Sequence, residues 1–509
     1  MTNHLATALG LGDPARGGRT FASLPDGRVY TYADVEAVSG RFAAALVGLG
    51  MAPGDRVAVQ VEKSIEALML YLGCVRAGAV FLPLNTAYTA SEVGYFLGDA
   101  APALVVVDPS KAEALTPQAK EAGARLETMG VWAADGGDYG SLFAHVPEAA
   151  AFEDVARGPD DLAAILYTSG TTGRSKGAML SHENLGSNAT TLVETWRFTG
   201  DDVLIHALPI YHTHGLFVAS NVTLVSGAAL IWMEKFDLDA VVAALPEATG
   251  MMGVPTFYTR LLGDDRLNRE LCRSMRLFVA GSAPLLAETH RQFEARTGHA
   301  ILERYGMTEA SMITSNPYDG ARRAGTVGHP LPGVSLKVTD PETGAELAEG
   351  EIGMIRVKGP NVFQGYWRMP EKTAEELSAD GWFITGDLGM IDDQGYVVIV
   401  GRGKDLIISG GFNVYPKEVE GEIDRLPGVI ESAVIGVPHP DFGEGVVAVV
   451  VPEAGDARDP KAVIGALAER VAKFKQPKRV IFVDALPRNA MGKVQKKNLR
   501  EIHKDLFTG

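Results

Sequence analysis

Leu162-Ala-Ala-Ile-Leu-Tyr-Thr168 runs directly into Ser169-Gly-Thr-Thr-Gly-Arg-Ser-Lys176-Gly177, so an apolar strand empties into a loop made almost wholly of Gly, Ser and Thr. Glycines let backbone N–H groups approach an anion closely, the hydroxyls of Thr168, Ser169, Thr171 and Thr172 add donors, and Lys176 adds a point charge. The stretch therefore reads as a phosphate cradle. It is not the loop that ends in Gly-Lys-Ser/Thr, because Lys176 is followed by Gly177 and no hydroxyl residue comes next.

Outward from this stretch the same rhythm recurs. Arg56-Val-Ala-Val-Gln-Val, Ala79-Val-Phe-Leu-Pro-Leu and Leu104-Val-Val-Val-Asp are short apolar runs separated by amphipathic segments such as Tyr32 to Leu49 and Ser64 to Ala77. Strand and helix in alternation predict βαβ units, a parallel sheet and an α/β class. Between about 325 and 400 the pattern changes to short strands broken by Gly and Pro, which predicts a small antiparallel barrel. After Gly401-Arg-Gly-Lys404 a ribbon around Gly410-Gly411, a helix from Lys417 and further strands predict an α+β unit of about 105 residues.

Composition narrows the functional classes. A chain of 509 residues exceeds a single hydrophobic core and divides into units. Its 63 Asp and Glu outweigh 47 Lys and Arg, which argues against a general nucleic-acid binder. Residues 470–504 reverse the sign with eleven basic residues against two acids, so any anionic partner would be met there. Cys74 and Cys272 are too few for a disulfide framework or a zinc site, and the reducing cytoplasm is the expected compartment. Met1-Thr-Asn-His-Leu-Ala lacks the features of a secretory signal, and Arg76 interrupts the best apolar stretch, so no membrane association is expected.

Further motifs follow in order: Gly281-Ser-Ala-Pro284, Arg304-Tyr-Gly-Met-Thr-Glu309, Thr385-Gly-Asp387 and Pro487-Arg-Asn-Ala-Met-Gly-Lys493. With the Thr168–Gly177 loop they make the chain resemble the adenylate-forming acyl-CoA synthetases over nearly its whole length. The resemblance implies a large N-terminal domain over 1–401, built of two α/β sheet subdomains and a distorted barrel. It also implies a hinge at 402–404 centred on Lys404 and a small mobile C-terminal lid over 405–509. Its implied substrates are ATP with Mg²⁺, a carboxylic acid and CoA. Thr168, Ser169, Gly170, Thr171, Thr172, Gly173 and Lys176 would close over the β- and γ-phosphates. Gly281, Ser282 and Ala283 would lie along the adenine, and Arg304, Tyr305, Gly306, Met307 and Thr308 would contact adenine and α-phosphate. Glu309, with Thr168, would hold Mg²⁺, a role suited to a hard oxygen ligand. Asp387 and Arg402 would hold the ribose, Lys493 would be the catalytic lysine, and Ser409, Gly410, Gly411 and Lys475 would meet CoA.

The acid is read from Pro209-Ile-Tyr-His-Thr-His-Gly215 and Gly253-Val-Pro-Thr-Phe-Tyr-Thr-Arg260. Two histidines and an arginine argue against an apolar tunnel for a fatty acid. Arg260 is the expected clamp for a second carboxylate, because a planar guanidinium binds one through two parallel charge-assisted bonds. These segments resemble the malonyl-CoA synthetases, which implies malonate as substrate, with methylmalonate as an analogue, and His212 and Ser282 beside the acyl group. Two alternatives are a synthetase for another short acid and a non-enzymatic ATP sensor. Because acetylation would remove the Lys493 charge, a lysine acetyltransferase or deacetylase acting on that lysine, expected to be exposed, would switch the enzyme.

Overall fold

The computed structural model describes residues 2–131, 139–149, 151–168, 175–410, 412–453, 459–468, 470–489 and 492–507. The chain divides into two units, one of residues 1–335 with 357–383, the other of residues 336–356 with 384–509. The expected boundary near 402 thus falls inside the second unit.

Two sheets organise the first unit. The smaller runs Arg125–Thr128, Leu104–Val107, Arg56–Gln60, Val80–Pro83, Leu162–Thr168, Lys176–Ser181. Its strands are parallel until the last pair, which is antiparallel. Strands buried on both faces need continuous Val, Ile and Leu, and Leu104–Val107 is buried at every position. The helix Ile65–Ala77 feeding this sheet is capped by Ser64 at one end and left-handed Gly78 at the other. All thirteen of its residues are buried, Arg76 among them, whose guanidinium is neutralised by Glu36 and Asp154.

The larger sheet holds nine strands among the described residues. Val203–His206, Gly250–Gly253, Leu277–Ala280 and Leu302–Met307 run parallel at its centre. Ligands in such sheets gather beyond the carboxyl ends of the strands. Those ends here lead into Pro209–Gly215, Gly281-Ser282 and Thr308-Glu309, so one edge of one sheet collects segments far apart in sequence.

The second unit has a four-stranded sheet in the order Ser335–Thr339, Gly353–Lys358, Phe383–Ile391, Val397–Arg402, from the region expected to form the barrel. A five-stranded sheet follows, built on the long hairpin Val429–His439 and Gly443–Pro452. The expected ribbon is present as Ile407–Ser409 paired with Phe412–Val414. Among the described residues no helix is long and apolar enough to cross a membrane.

Candidate active site

The phosphate-cradle stretch joins two antiparallel strands, Leu162–Thr168 and Lys176–Ser181, with Thr168 opposite Lys176 in register. Ser169, Gly170, Thr171, Thr172 and Gly173 lie outside the described residues. Lys176 is buried, its Nζ 3.1 Å from both carboxylate oxygens of Glu376 and 3.9 Å from the centroid of the Tyr366 ring. The Tyr366 hydroxyl lies 2.6 Å from Glu376 and 3.1 Å from Glu309, and Thr168 Oγ1 donates to Glu309 at 3.4 Å. Lys176, Glu376, Tyr366 and Glu309 thus form a continuous chain from the second of these strands to the expected metal ligand.

The electrostatics of this chain are self-consistent. Burial alone would raise the Glu376 carboxyl, but hydrogen bonds from Tyr366, Lys372 and Lys176 outweigh it and hold the group below its ordinary range. Burial pushes the Tyr366 phenol well up, with the charges of Glu309 and Glu376 adding to the effect, so it stays protonated. One phenolic proton then serves two carboxylates, an arrangement that a hard cation beside Glu309 would relieve. Among the described residues no cluster of three His, Cys, Asp or Glu surrounds a metal position.

Tyr366 and Glu376 were not legible as functional residues. Glu376 ends an acidic stretch that reads as a solvated helix face, and Tyr366 reads as core. Tyr366→Phe is expected to raise the KM for MgATP about tenfold, the worth of one hydrogen bond to a charged group, while leaving KM for the acid within threefold. Initial rates against each substrate check this.

The acyl segments meet at Ser282. This residue sits at φ 70°, a backbone conformation uncommon outside glycine, directly after the strand Leu277–Ala280. Its Oγ lies 3.1 Å from His214 Nδ1. His214 is buried, its Nε2 makes no hydrogen bond among the described residues, and its own N–H donates to His212 Nδ1 at 3.2 Å. Burial, then the neighbouring Arg304 charge, pushes the His214 imidazole well below its ordinary range, so it is neutral.

Arg304 is 3% exposed, and its Nε and Nη2 have no hydrogen-bond partner among the described residues. It lies against Gly281, where a methyl group would stand 2.3 Å from the guanidinium carbon and would displace it. Burial pushes this guanidinium down to about 9, which still leaves it cationic at neutral pH. Buried charges are ordinarily paired, and this one has no carboxylate partner among the described residues. Tyr305, Gly306 and Met307 complete the Leu302–Met307 strand, which pairs with Ser311–Ser315, and Thr308 stands in the turn with Glu309.

Arg260, the expected clamp for a second carboxylate, lies on the exposed side of its helix. The helix Pro255–Leu262 turns Phe257, Tyr258 and Leu261 inward and leaves Thr259 and Arg260 exposed, as the 3.6-residue period dictates. The Arg260 guanidinium lies over the ring of Phe236, 5.7 Å from its centroid. Arg304, by contrast, is buried against Gly281.

In the second unit Asp387 is buried, pairs in register with Arg402 across the sheet and accepts from its Nε at 3.1 Å. Its backbone N–H donates to Thr385 Oγ1. Lys404 is held below its ordinary range, first by burial and then by the Arg402 charge. Ser409 is buried with no partner for its hydroxyl among the described residues, and Gly410 takes φ 61° beside the Phe442 ring. Gly411 lies outside the described residues. Lys475 pairs with Glu418 at 2.6 Å. Lys493 is exposed, on a turn closed by Asn489, whose side chain accepts from the Lys493 N–H.

Comparison with known proteins was made against this geometry. Residues 14–367 match the AMP-binding enzyme family, and residues 418–493 match its C-terminal domain. The crystal structure of ATP-bound MatB from Rhodopseudomonas palustris is 61% identical, with a TM-score of 0.96 over 100% of both chains. A malonate–CoA ligase of Arabidopsis thaliana is 35% identical over 485 residues, 89% of this chain and 79% of that one. A feruloyl-CoA synthase of an Amycolatopsis species is 37% identical over 478 residues, 93% of this chain and 94% of that one.

Proposed function

Because this chain belongs to the AMP-binding enzyme family and is an AMP-forming acid–thiol ligase, we propose that the acid it activates is malonate, joined to CoA with release of AMP and pyrophosphate. The observation that carries the choice is Arg304, a buried cation with two unpartnered nitrogens beside the Gly281-Ser282 turn and His214. A diacid keeps one negative carboxylate after the other becomes an acyl-adenylate. That remaining charge supplies what the guanidinium lacks, and the Ser282 hydroxyl orients the chain between the two ends. The likeness to the malonate–CoA ligase supports this reading. The feruloyl-CoA synthase, at a comparable identity, carries a name for a different acid, so overall similarity alone does not select the substrate.

In the first half-reaction a malonate oxygen attacks the α-phosphorus of ATP and pyrophosphate leaves. Two anions must meet, so the residues work by positioning and neutralisation. Asp387 and Arg402 hold the ribose, Tyr305 and Gly281 to Ala283 border the adenine, and Thr308 donates to the α-phosphate. The stretch after Thr168 covers the outer phosphates, with Lys176 fixing its base. Glu309 and Thr168 would hold Mg²⁺, which supplies charge neutralisation to those phosphates. The Lys493 ammonium neutralises charge as the carboxylate and α-phosphate join.

In the second half-reaction the CoA thiol attacks the adenylate carbonyl and AMP leaves. Lys493 and the Ser409-Gly410 ribbon are needed in different steps. Rotation about Lys404 would exchange them, and Gly410, lacking a side chain, would let the pantetheine arm pass close to the backbone.

CoA-dependent AMP formation is tested with malonate, methylmalonate, succinate, acetate, propionate and octanoate in parallel. Malonate is expected to exceed acetate and propionate by on the order of 10²-fold or more in kcat/KM, because a monocarboxylate leaves Arg304 unpaired. Propionate or octanoate ahead of malonate would overturn the assignment while leaving the two-step chemistry intact.

A further inference from the structure

Lys63 is 8% exposed and forms no ion pair among the described residues. Its Nζ has three acceptors within reach, His206 Nδ1 at 3.0 Å, the His206 carbonyl at 2.8 Å and the Met233 carbonyl at 2.5 Å, and it lies 4.3 Å from the centroid of the Trp232 ring. An ammonium has three protons for three acceptors. Burial pushes the Lys63 amine well below its ordinary range; the three acceptors oppose that shift, because a neutral amine would turn its lone pair on one of them.

This contact decides the protonation of His206, which is wholly buried. Its Nε2 lies 2.9 Å from the Gly215 carbonyl oxygen, which can only accept, so Nε2 carries the proton. Nδ1 is left with its lone pair toward Lys63, and the histidine is neutral. Burial and then the Lys63 charge push the imidazole the same way.

Gly215 ends the turn that carries His212 and His214. No side chain fits there, since a methyl group would stand 2.1 Å from the Pro209 carbonyl oxygen. From His214 to Ser220 the chain is a π-helix, a wider coil of the kind that often marks functional sites. The Gly215 carbonyl takes its donors from the His206 ring and from Ser220 Oγ at 2.9 Å. One residue before it, His214 reaches Ser282, and the buried Thr213 hydroxyl and His214 Nε2 make no hydrogen bond among the described residues.

We propose that Lys63 is a positioning residue of the acyl pocket: its ammonium holds His206 in the Nε2–H tautomer, and that proton pins the Gly215 carbonyl and sets the His212–His214 turn against Ser282. The proposal rests on the reading above that this pocket receives the acid. Tautomer control by the partner of the second ring nitrogen is a general device, here supplied by a cation rather than a carboxylate.

Two measurements test it. In the first, ¹⁵N-histidine spectra of the intact enzyme, with the His206 signals identified by their loss in His206→Gln, are expected to show an Nε2–H imidazole with unprotonated Nδ1. A protonated Nδ1 in the wild type overturns the proposal even if every Lys63 variant fails to fold.

In the second, KM for acid and for ATP are compared across Lys63→Met, His206→Leu, His206→Gln and the Lys63→Met/His206→Leu pair. Lys63→Met and His206→Leu are expected to raise KM for the acid on the order of 10- to 100-fold with KM for ATP within twofold. His206→Gln, which keeps an N–H toward Gly215, recovers most of what His206→Leu loses. The double variant is no worse than His206→Leu, because Lys63 acts through the ring. Additive losses, or KM for acid and ATP rising together, overturn the proposal. A wild type that prefers an acid other than malonate overturns only the substrate assignment, and the variants are then compared on the preferred acid.

Discussion

Arg304→Met is expected to lower kcat/KM for malonate by on the order of 10²- to 10⁴-fold while leaving KM for ATP within about threefold. The guanidinium is buried, with Nε and Nη2 unpartnered among the described residues, so its favourable interactions are reserved for something that enters the pocket. Methionine keeps much of the side-chain length and cannot pair with a carboxylate. Acetate and propionate, which have no second carboxylate to strand, are expected to be used as well as by the wild type or better.

The same substitution carries an opposite expectation for stability. A buried charge without a partner costs folding free energy, and replacing it with an apolar side chain of similar length removes that cost. The substrate-free Arg304→Met enzyme is therefore expected to melt above the wild type, with the order reversed when malonate is added. Steady-state rates on the acid panel and melting curves with and without malonate measure both effects. Equal losses on malonate and acetate would show that Arg304 supports the fold or the nucleotide instead. Arg260→Ala, at an exposed position over Phe236, serves as the control and is expected to change malonate kcat/KM less than threefold.

Lys493→Ala separates the two half-reactions. Adenylation, followed in a single turnover by pyrophosphate release, is expected to fall by on the order of 10²- to 10³-fold, the typical cost of removing one preorganised charge donor from a developing oxyanion. Conversion of pre-formed malonyl-adenylate to the thioester is expected to proceed within a few-fold of wild type, since the lysine has no part in thiol attack. The side chain is exposed, and its turn is closed through the backbone N–H and carbonyl of Lys493 with Asn489, bonds that alanine keeps. Adenylation surviving within tenfold would end the assignment.

The motif order alone was enough to identify an ATP-using acyl ligase, because that chemistry depends on local strings: a Gly and Thr-rich turn, an Asp after Thr-Gly, a lysine on a Gly-bearing loop. Each string carries its function within a few residues, and neighbours along the chain stay neighbours in the fold. The alternation of apolar runs was legible for the same reason, since strand and helix periods are local.

The identity of the acid was not local. The sequence reading assigns the second carboxylate to Arg260 and places Arg304 with the nucleotide. Only the helix Pro255–Leu262, by turning Phe257, Tyr258 and Leu261 inward, put Arg260 outside, while the central strand Leu302–Met307 put Arg304 inside against Gly281. Likewise Tyr366 and Glu376 meet Glu309 and Lys176 across separations of 57 and 200 residues. Lys63 meets His206 across 143. Reaction class was thus determined by the sequence itself, through short motifs whose residues act side by side. Substrate recognition and the buried relays behind it were decided by tertiary structure, because burial gives a charge its value and burial is set by which distant segments the sheet brings together.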